Sequence, residues 1–205
     1  MIVRYVDLAQ RVRSSSPRCG RTRLVAVDGG GGAGKSVFAA RLAQALGDAP
    51  IIRTDDFASW DNPHNWWPRL EEQVLGPMGR GEPVRYQRWN WVERRLGEWV
   101  DVPGSDVVIV EGVSSSRVAV KERLTLAIWI ETPREMRLRR GIERDGESMR
   151  QAWDRWMAEE DAFYACDRTR ERADLIVDGS PTLAHDPDTE FVALTPDPGS
   201  RPITS

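Results

Sequence analysis

The chain alternates short apolar segments with longer segments of mixed polarity. The apolar segments are Leu24–Val27, Val107–Val110, Leu175–Val177, Leu124–Ile130 (interrupted only by Thr125) and Ile51–Ile52, which begins a further strand. Strands of a parallel sheet have this composition when both of their faces are covered by other elements. The pattern therefore predicts a buried parallel sheet built on these five segments.

The segments between the predicted strands carry apolar residues at helical spacing. After the first strand, Phe38, Leu42 and Leu46 recur on one face of a helix. Comparable patterns occur in residues 2–13, 69–78, 134–145 and 148–172. Residues 57–68 and 80–92 have no clear period, which predicts irregular structure. Strands that alternate with helices imply βαβ crossovers and a sheet with helices on both faces.

Composition and charge narrow the range of possible binding partners and cellular locations. The chain has 205 residues, the length of one domain, and a formal net charge of −3, so no overall positive field would attract nucleic acid or an anionic membrane. No apolar run approaches the ~20 residues that a transmembrane helix needs. Cys19 and Cys166 are far apart, which favours a reduced protein over a disulfide framework. We expect a cytoplasmic location, with neither nucleic acid nor a membrane as partner.

A glycine-rich segment lies between the first strand and the first long helix. Its residues are Gly29, Gly30, Gly31, Gly32, Ala33, Gly34, Lys35 and Ser36, which match the Walker A pattern G-x-x-x-x-G-K-[ST]. Glycines let backbone N–H groups converge on phosphate oxygens, and the positive end of the helix dipole points at the same anion. In this pattern the lysine reaches the β- and γ-phosphates and the serine hydroxyl binds Mg²⁺. The sequence therefore predicts ATP and Mg²⁺ as cofactors.

This phosphate loop also determines the predicted fold class. We expect an α/β chain with the three-layer P-loop NTPase fold, in which a five-stranded parallel sheet is flanked by helices and carries a small helical lid. Ligands of such sheets bind at the carboxyl ends of the strands. Side chains that follow the other strands are therefore the next candidates for chemistry.

Carboxylates follow two of these strands. Asp55 and Asp56 leave the second strand, and Glu111 ends the third. Transfer of a phosphoryl group to an alcohol needs a base for the hydroxyl proton, and either aspartate is a candidate, although adjacent residues point in opposite directions. Glu111 ends a strand beside the phosphate loop, where a carboxylate supports Mg²⁺ through a bound water. The alternative for all three is the capping of a turn.

An arginine-rich segment surrounds the turn at Asp145, Gly146 and Glu147. Its arginines are Arg137, Arg139, Arg140, Arg144 and Arg150. Planar guanidinium groups bind phosphate oxygens in two-point contacts, and a lid that brings them in on closure excludes water. The alternative is a solvated helix face that pairs with neighbouring glutamates. We interpret the cluster as a phosphate-binding lid over about residues 139–150.

Tryptophans are concentrated in one part of the chain. Six of the nine lie within one 40-residue stretch: Trp60, Trp66, Trp67, Trp89, Trp91 and Trp99. Tryptophans at this density either fill a core or wall a ligand pocket, and the sequence leaves both interpretations open.

Several of these motifs occur in the order in which uridine–cytidine kinases have them. They are Gly29–Ser36, Thr54–Phe57, Trp89–Val92, Val110–Gly112, Arg144–Asp145 and Ala173–Val177. Over roughly residues 22–178 the chain resembles this uridine kinase-like branch of the P-loop nucleoside and nucleotide kinases. The phosphate loop is shared with many nucleotide-binding proteins, whereas the Asp-x-Phe after the second strand and the later Glu-Gly are more specific.

The resemblance implies roles for individual residues. It implies that Asp55 is the base for a ribose 5′-hydroxyl and that Glu111 supports Mg²⁺ beside Ser36. Asp61 is similar to an aspartate that holds ribose hydroxyls. The residues predicted to be catalytic are Asp55, Lys35, Arg144 and Arg150.

The same resemblance implies an acceptor pocket. Trp89 and Trp91 are similar to residues that wall the base pocket, and Arg94 stands where the family has a histidine. Arg140 lies within about one position of the family's paired lid arginines. The residues predicted to bind the acceptor are Asp55, Asp61, Trp89, Trp91, Arg94 and Arg140.

The sequence as a whole predicts an ATP-dependent kinase whose acceptor is a hydroxyl of a nucleoside-like small molecule, similar to uridine or cytidine. A nucleoside monophosphate kinase is the alternative, because Arg85, Arg88 and Arg94 could surround an acceptor phosphate. A kinase of a non-nucleoside alcohol, such as a sugar-like or antibiotic-like molecule, is a further alternative. A nucleotide-binding module without catalysis is disfavoured by the phosphate loop together with Asp55, Glu111 and the lid arginines. The sequence leaves homo-oligomer formation open.

One part of the chain is expected to be folded and the other partly disordered. Residues 1–180 are predicted to form a single P-loop kinase domain, and residues 181–205 a C-terminal extension that is partly disordered. Within this extension, Phe191–Leu194 is apolar enough for an edge strand.

Overall fold

The computed structural model describes residues 1–59, 62 and 65–195. Its strands are β1 (Ile2–Arg4), β2 (Arg23–Asp28), β3 (Ile51–Arg53), β4 (Val84–Asn90), β5 (Arg95–Val102), β6 (Val107–Glu111), β7 (Leu124–Glu131), β8 (Leu175–Asp178) and β9 (Glu190–Val192). Its helices are α1 (Tyr5–Ser14), α2 (Lys35–Ala45), α3 (Trp67–Leu70), α4 (Gly76–Arg80), α5 (Arg134–Asp145) and α6 (Arg150–Asp167). No helix in these described ranges is long and apolar enough to cross a membrane. Asp61 and residues 196–205, for which the sequence makes predictions, lie outside the described residues.

Five strands form one parallel sheet in the order β3–β6–β2–β7–β8. β2 lies at the centre, with Val27 opposite Glu111 of β6 and Asp28 opposite Trp129 of β7. Every residue of β6 is buried, as its continuous apolar run predicts. The predicted α/β class, with a five-stranded parallel sheet flanked by helices, is confirmed. The loop after β2 therefore lies at the middle of the sheet's carboxyl edge.

Alternate residues of the strands pack against different layers. Val25 and Val27 of β2 contact the layer formed by α1 and α2, whereas Leu24 and Ala26 contact the layer that includes α3, α4 and β4. Burial of each Val or Leu side chain among them contributes about 1.5–3 kcal/mol. The two apolar layers hold the sheet between them and fix the positions of its strand ends.

The segment predicted to be irregular at residues 80–92 is instead part of a β-hairpin. β4 pairs with β5 in antiparallel register, and the register shifts between Gln87 and Trp89. Because a bulge moves later side chains to the opposite face, polar and apolar residues do not alternate cleanly. That irregularity is why the sequence pattern concealed the hairpin.

The two ends of the described chain meet beside the sheet. The first residues, predicted to be helical, form β1, which pairs with β9 of the C-terminal extension, and α1 begins only at Tyr5. β9 overlaps the predicted Phe191–Leu194 strand, and the next residue, Ala193, forms an isolated bridge with Val177 of β8 in the main sheet. The predicted helix at residues 69–78 is longer than expected, because a π-helical turn joins α3 to α4.

Candidate active site

The phosphate loop connects the carboxyl end of β2 to the amino end of α2. Gly34 caps the helix with a φ of 100°, a left-handed conformation in which a side chain would be strained. Since α2 begins at Lys35, the free N–H groups of its first turn and its positive dipole end face the loop. Lys35 is buried, and its Nζ donates a hydrogen bond to the carbonyl of Gly30 at 2.9 Å. The loop thus forms an anion cradle with a fixed lysine.

A buried carboxylate anchors the start of this loop. Asp28 is fully buried, and its Oδ1 accepts the N–H groups of Gly29 and Ser114 at 2.7 and 2.9 Å. Its Oδ2 accepts both the N–H and the hydroxyl of Ser116, and Tyr164 donates to Oδ1 at 2.8 Å. Burial raises the pKa of Asp28, while these donors oppose the rise. The bonds tie the end of β2 to the segment after β6 and to α6, which indicates a structural role for Asp28.

Ser36 and Glu111 bring a hydroxyl and a carboxylate together beside the loop. Ser36 Oγ donates to Glu111 Oε1 at 2.9 Å, and the glutamate is 5% exposed. Burial raises the pKa of Glu111, Lys35 and the Ser36 bond lower it, and the charge of Asp55 raises it further. Hard oxygen donors of this kind fit Mg²⁺. No cluster of three or more His, Cys, Asp or Glu side chains suited to a metal occurs among the described residues.

The two aspartates after β3 lie in different environments. They belong to a 3₁₀ turn at Thr54–Asp56, which directs their side chains apart. Asp56 is buried, accepts a hydrogen bond from the Tyr86 hydroxyl at 2.7 Å and pairs with Arg88 at 3.2 Å. Asp55 is exposed and lines the cavity in front of the phosphate loop. Of the two candidate bases, Asp55 is therefore the one on the cavity side.

Tyr86→Phe tests the structural interpretation of Asp56. Removal of the hydroxyl leaves one buried carboxylate oxygen without this donor, so we expect the free energy of unfolding to fall by about 1–2 kcal/mol. Urea denaturation measures this change, and titration with Mg-ATP should give the wild-type affinity. Wild-type stability in this variant would contradict the assignment of Asp56 to the folded core.

A cavity of about 520 Å³ opens in front of the phosphate loop. Its lining residues include Lys35, Ser36, Asp55, Trp91, Glu111, Arg140, Arg144, Trp153 and Trp156. Most of the residues that the sequence predicts for phosphate, metal and proton transfer therefore share one space. Its volume lies within the range of cavities that bind small molecules.

The β4–β5 hairpin forms one wall of this cavity. Trp91 lies in its turn, lines the cavity, and donates from Nε1 to the carbonyl of Asp55 at 3.1 Å. The other two predicted pocket residues of the hairpin lie outside the lining described for this cavity. Trp89 is half-buried within β4, and Arg94 is exposed at a φ of 54° in the turn.

The lid arginines divide into two groups. Arg140 and Arg144 line the cavity, and Arg140 donates to the carbonyls of Gly32 and Gly179 at 3.4 and 3.0 Å. Arg150 is instead half-exposed outside the cavity lining, where it pairs with Glu147. The structure therefore brings Arg140 and Arg144 to the cavity in front of the phosphate loop, and Arg150 lies outside its lining.

Arg137 and Arg139 complete the predicted cluster. Arg139 is exposed and pairs with Glu143 at 3.8 Å, as the solvated-face interpretation predicts. Arg137 is 11% exposed and pairs with the buried Glu160 of α6 at 3.1 Å. It therefore lies beneath the loop rather than over it.

Helix α6 contributes site residues that the sequence did not single out. Trp153 and Trp156 line the cavity, and the guanidinium of Arg144 lies 5.6 Å from the Trp153 ring. Their helical spacing indicated a core face, and only the placement of α6 beside the loop gives them a cavity surface. A search for aromatic residues near the lid turn could have identified both tryptophans as candidate site residues.

A second cavity, of about 360 Å³, lies on the other side of Arg140. It shares Gly34, Val37 and Arg140 with the first cavity. Its remaining walls come from α1, α2, the end of β8 and the C-terminal extension, including Phe38 and His185. The phosphate loop thus has a cavity on each side.

Comparisons with known proteins agree with this architecture. No protein-family model matches the chain. A uridine kinase of Borrelia hermsii is 24% identical over 179 residues, which cover 76% of this chain and 85% of that protein. A uridine kinase of Halobacterium salinarum is 24% identical over 176 residues, which cover 75% of this chain and 78% of that protein.

Solved structures of low identity share the fold. A "possible uridine kinase" from Bacillus stearothermophilus superposes with a TM-score of 0.60 at 16% identity, covering 84% of this chain and 96% of that one. A candidate fructose transport system kinase from Silicibacter sp. TM1040 gives a TM-score of 0.56 at 21% identity, covering 82% and 94%.

The sheet order, the phosphate loop and these relatives together support a P-loop kinase. Within that class, the predicted resemblance to the uridine kinase-like branch is confirmed by the curated relatives.

Proposed function

We propose that the chain transfers the γ-phosphoryl group of ATP to a hydroxyl of a nucleoside-like small molecule, with Asp55 as general base. The observation that carries the proposal is the shared cavity, which Asp55 lines together with Lys35, Ser36 and Glu111. A phosphate loop alone would serve any nucleotide-binding protein. A carboxylate in the same cavity as the loop is what an alcohol acceptor requires.

The donor side is built from the loop and its neighbours. Backbone N–H groups of the loop and the amino end of α2 bind the phosphates, and Lys35 neutralises their charge. Ser36 and Glu111 would hold Mg²⁺, which when bound supplies charge stabilisation to the β- and γ-phosphates. Lys35 is already held by the carbonyl of Gly30, so little ordering is needed when the nucleotide arrives.

The acceptor side depends on Asp55. As the acceptor oxygen bonds to the γ-phosphorus and the bond to the β-phosphate oxygen breaks, Asp55 takes the hydroxyl proton. Trp91 holds the backbone of Asp55 in place through its indole N–H and offers a flat face to the acceptor. Arg140 and Arg144 neutralise charge on the transferring group.

The second cavity can hold the nucleoside part of the donor nucleotide, which extends beyond its phosphates. Because it shares Gly34 and Val37 with the first cavity, a nucleotide whose phosphates lie on the loop can extend its base in this direction. Arg140 lies between the two spaces and can contact the donor from both. The first cavity is then left for the acceptor.

The monophosphate-kinase alternative needs free arginines around an acceptor phosphate. Arg88 pairs with Asp56 and with Glu98, each at 3.2 Å, and Arg85 lies 3.5 Å from Asp101. Neither belongs to the lining described for the cavity of Asp55. The third arginine of that alternative, Arg94, is exposed in the hairpin turn and also lies outside that lining. Because none of the three lines the cavity that Asp55 shares with the phosphate loop, an alcohol acceptor is favoured over an acceptor that carries phosphate.

Trp91→Ala tests the acceptor wall. We expect the KM for the acceptor to rise about tenfold, since loss of an aromatic contact removes roughly 1–2 kcal/mol, while the KM for ATP stays near its wild-type value. Trp99→Ala is the matched control, because Trp99 lies on the same hairpin, is 47% exposed and does not line the cavity. Equal effects of the two substitutions on the KM for the acceptor would show that Trp91 is not part of the acceptor site.

A screen of ATP consumption tests the proposed reaction. The purified chain is assayed with Mg-ATP against nucleosides, nucleoside monophosphates and simple polyols. We expect turnover with a nucleoside, and identification of the product as its monophosphate. Turnover with monophosphates alone would establish the alternative reaction instead, and turnover with polyols alone would establish a non-nucleoside alcohol kinase.

A further inference from the structure

Glu160 joins helix α6 to the phosphate loop. Its side chain is fully buried, and its two carboxylate oxygens accept the N–H of Gly31 at 2.9 and 3.0 Å. Oε1 also accepts Trp156 Nε1 at 2.5 Å, and Oε2 accepts Nη1 of Arg137 at 3.1 Å. One buried carboxylate therefore contacts the loop, a wall of the cavity and helix α5.

The extra glycines of the loop match this arrangement. The Walker A pattern leaves the residue type free at Gly30, Gly31 and Gly32, yet all three are glycine. A Cβ on Gly31 would lie 3.0 Å from Oε1 of Glu160, and one on Gly30 would lie 1.9 Å from Nη1 of Arg137. A Cβ on Gly32 would lie 2.5 Å from the backbone oxygen of Arg137. Glycine at these positions lets α5 and α6 contact the loop backbone directly.

The negative charge of Glu160 is compensated within the protein. An unpaired buried carboxylate near a phosphate site would be costly in itself and would repel the ligand. Burial raises the pKa of Glu160, but the nearby charges of Lys35 and Arg137 and the Gly31 bond oppose that rise. Because Arg137 neutralises it, the carboxylate can serve as a fixed acceptor for Gly31 without acting as a strong competitor for phosphate.

We propose that Glu160 is a positioning residue for nucleotide binding, which fixes the Gly31 peptide of the phosphate loop and the Trp156 indole of the cavity wall in one geometry. The inference rests on the proposed function in one respect, that nucleotide phosphates bind at this loop. With the Gly31 peptide held from beneath, the following N–H groups keep their directions before the nucleotide arrives. Binding then loses less free energy to ordering of the loop.

Glu160→Gln tests this role. The glutamine side chain keeps the size but has one acceptor oxygen, so it cannot accept from Gly31, Trp156 and Arg137 together. We expect the Kd for Mg-ATP, measured by calorimetry well below the melting temperature, to rise about tenfold. Glu159→Gln is the matched control, because Glu159 is the preceding residue of α6 and is exposed. It should bind Mg-ATP as the wild type does.

Two results would overturn the proposal. Wild-type affinity in Glu160→Gln, together with a lowered melting temperature, would make Glu160 a purely structural residue. Tighter binding would make it a competitor of phosphate. If the single variant does not fold, the Glu160→Gln/Arg137→Gln double variant removes both buried charges. Its Kd for Mg-ATP is then compared with that of the wild type, and an equal or lower Kd overturns the proposal.

The binding assay is independent of the acceptor. Wild-type chain that binds Mg-ATP but phosphorylates no alcohol would contradict the proposed reaction and leave the test of Glu160 intact. A wild-type chain that does not bind Mg-ATP would contradict both.

Discussion

The Asp55→Asn variant is expected to bind Mg-ATP with wild-type affinity and to turn over at least about 100-fold more slowly. The asparagine side chain has the same shape but cannot take the acceptor proton at neutral pH. Asp55 lines the cavity and is exposed, so the substitution removes no buried contact that would disturb the fold. Steady-state kinetics with the identified acceptor, combined with calorimetric titration of Mg-ATP, separates the two effects.

Asp101→Asn provides the control for this experiment. Asp101 is an exposed carboxylate of β5 that does not line the cavity, so its neutralisation should leave turnover unchanged. Near-wild-type turnover in Asp55→Asn would exclude Asp55 as the base. It would favour an acceptor that needs no base, such as a nucleoside monophosphate.

The Lys35→Ala variant is expected to lose phosphoryl transfer by about 1000-fold, the upper range for removal of one preorganised charged donor. Lys35 is buried beside the loop, and it is the cation placed to stabilise charge on the β- and γ-phosphates. The Kd for ATP should therefore rise, and the rate of the transfer step should fall. ATP consumption and single-turnover kinetics measure them.

The chain offers a matched control for Lys35. Its other lysine, Lys121, is exposed in the segment that precedes β7, so Lys121→Ala should retain full activity. ATP consumption at the wild-type rate in Lys35→Ala would defeat the assignment of the phosphate loop. A melting temperature near that of the wild type in both variants would show that the loss is not caused by unfolding.

The core of the fold could be predicted because its strands are buried on both faces. Leu24–Val27 and Val107–Val110 are continuous apolar runs, and such runs have few structural alternatives when a glycine-rich turn or a carboxylate follows. The hairpin at residues 84–102 could not be predicted, since its exposed residues and its bulge break the period of two. Its pairing depends on tertiary contacts that sequence periodicity does not report.

The candidate site was predictable where a motif carries its own geometry. The loop from Gly29 to Ser36 specifies strand, turn and helix together, and Glu111 follows from its position at a strand end. The choice between Asp55 and Asp56 depended on a 3₁₀ turn and on the hydroxyl of Tyr86, which comes from a distant strand. The family resemblance, through its Asp-x-Phe motif, implied Asp55, whereas the strand pattern alone does not distinguish the two carboxylates.

The contribution of α6 to the candidate site could not be predicted either, because it too depends on contacts between residues that are distant in sequence. Trp153 and Glu160 have the spacing of a helix face, and nothing in that spacing shows that the face meets the phosphate loop. Glu160, which accepts the N–H of Gly31, is more than 100 residues away from the loop in sequence. Long-range packing therefore decides which residues of α6 reach the site.

A crystal structure with Mg²⁺ and a non-hydrolysable ATP analogue tests the central claim most directly. We predict that the triphosphate lies on the backbone N–H groups of the phosphate loop, with its terminal phosphate beside Lys35 and the Asp55 carboxylate facing it across the cavity. An analogue bound elsewhere with the loop empty, or an Asp55 side chain turned away from the terminal phosphate, would contradict the account.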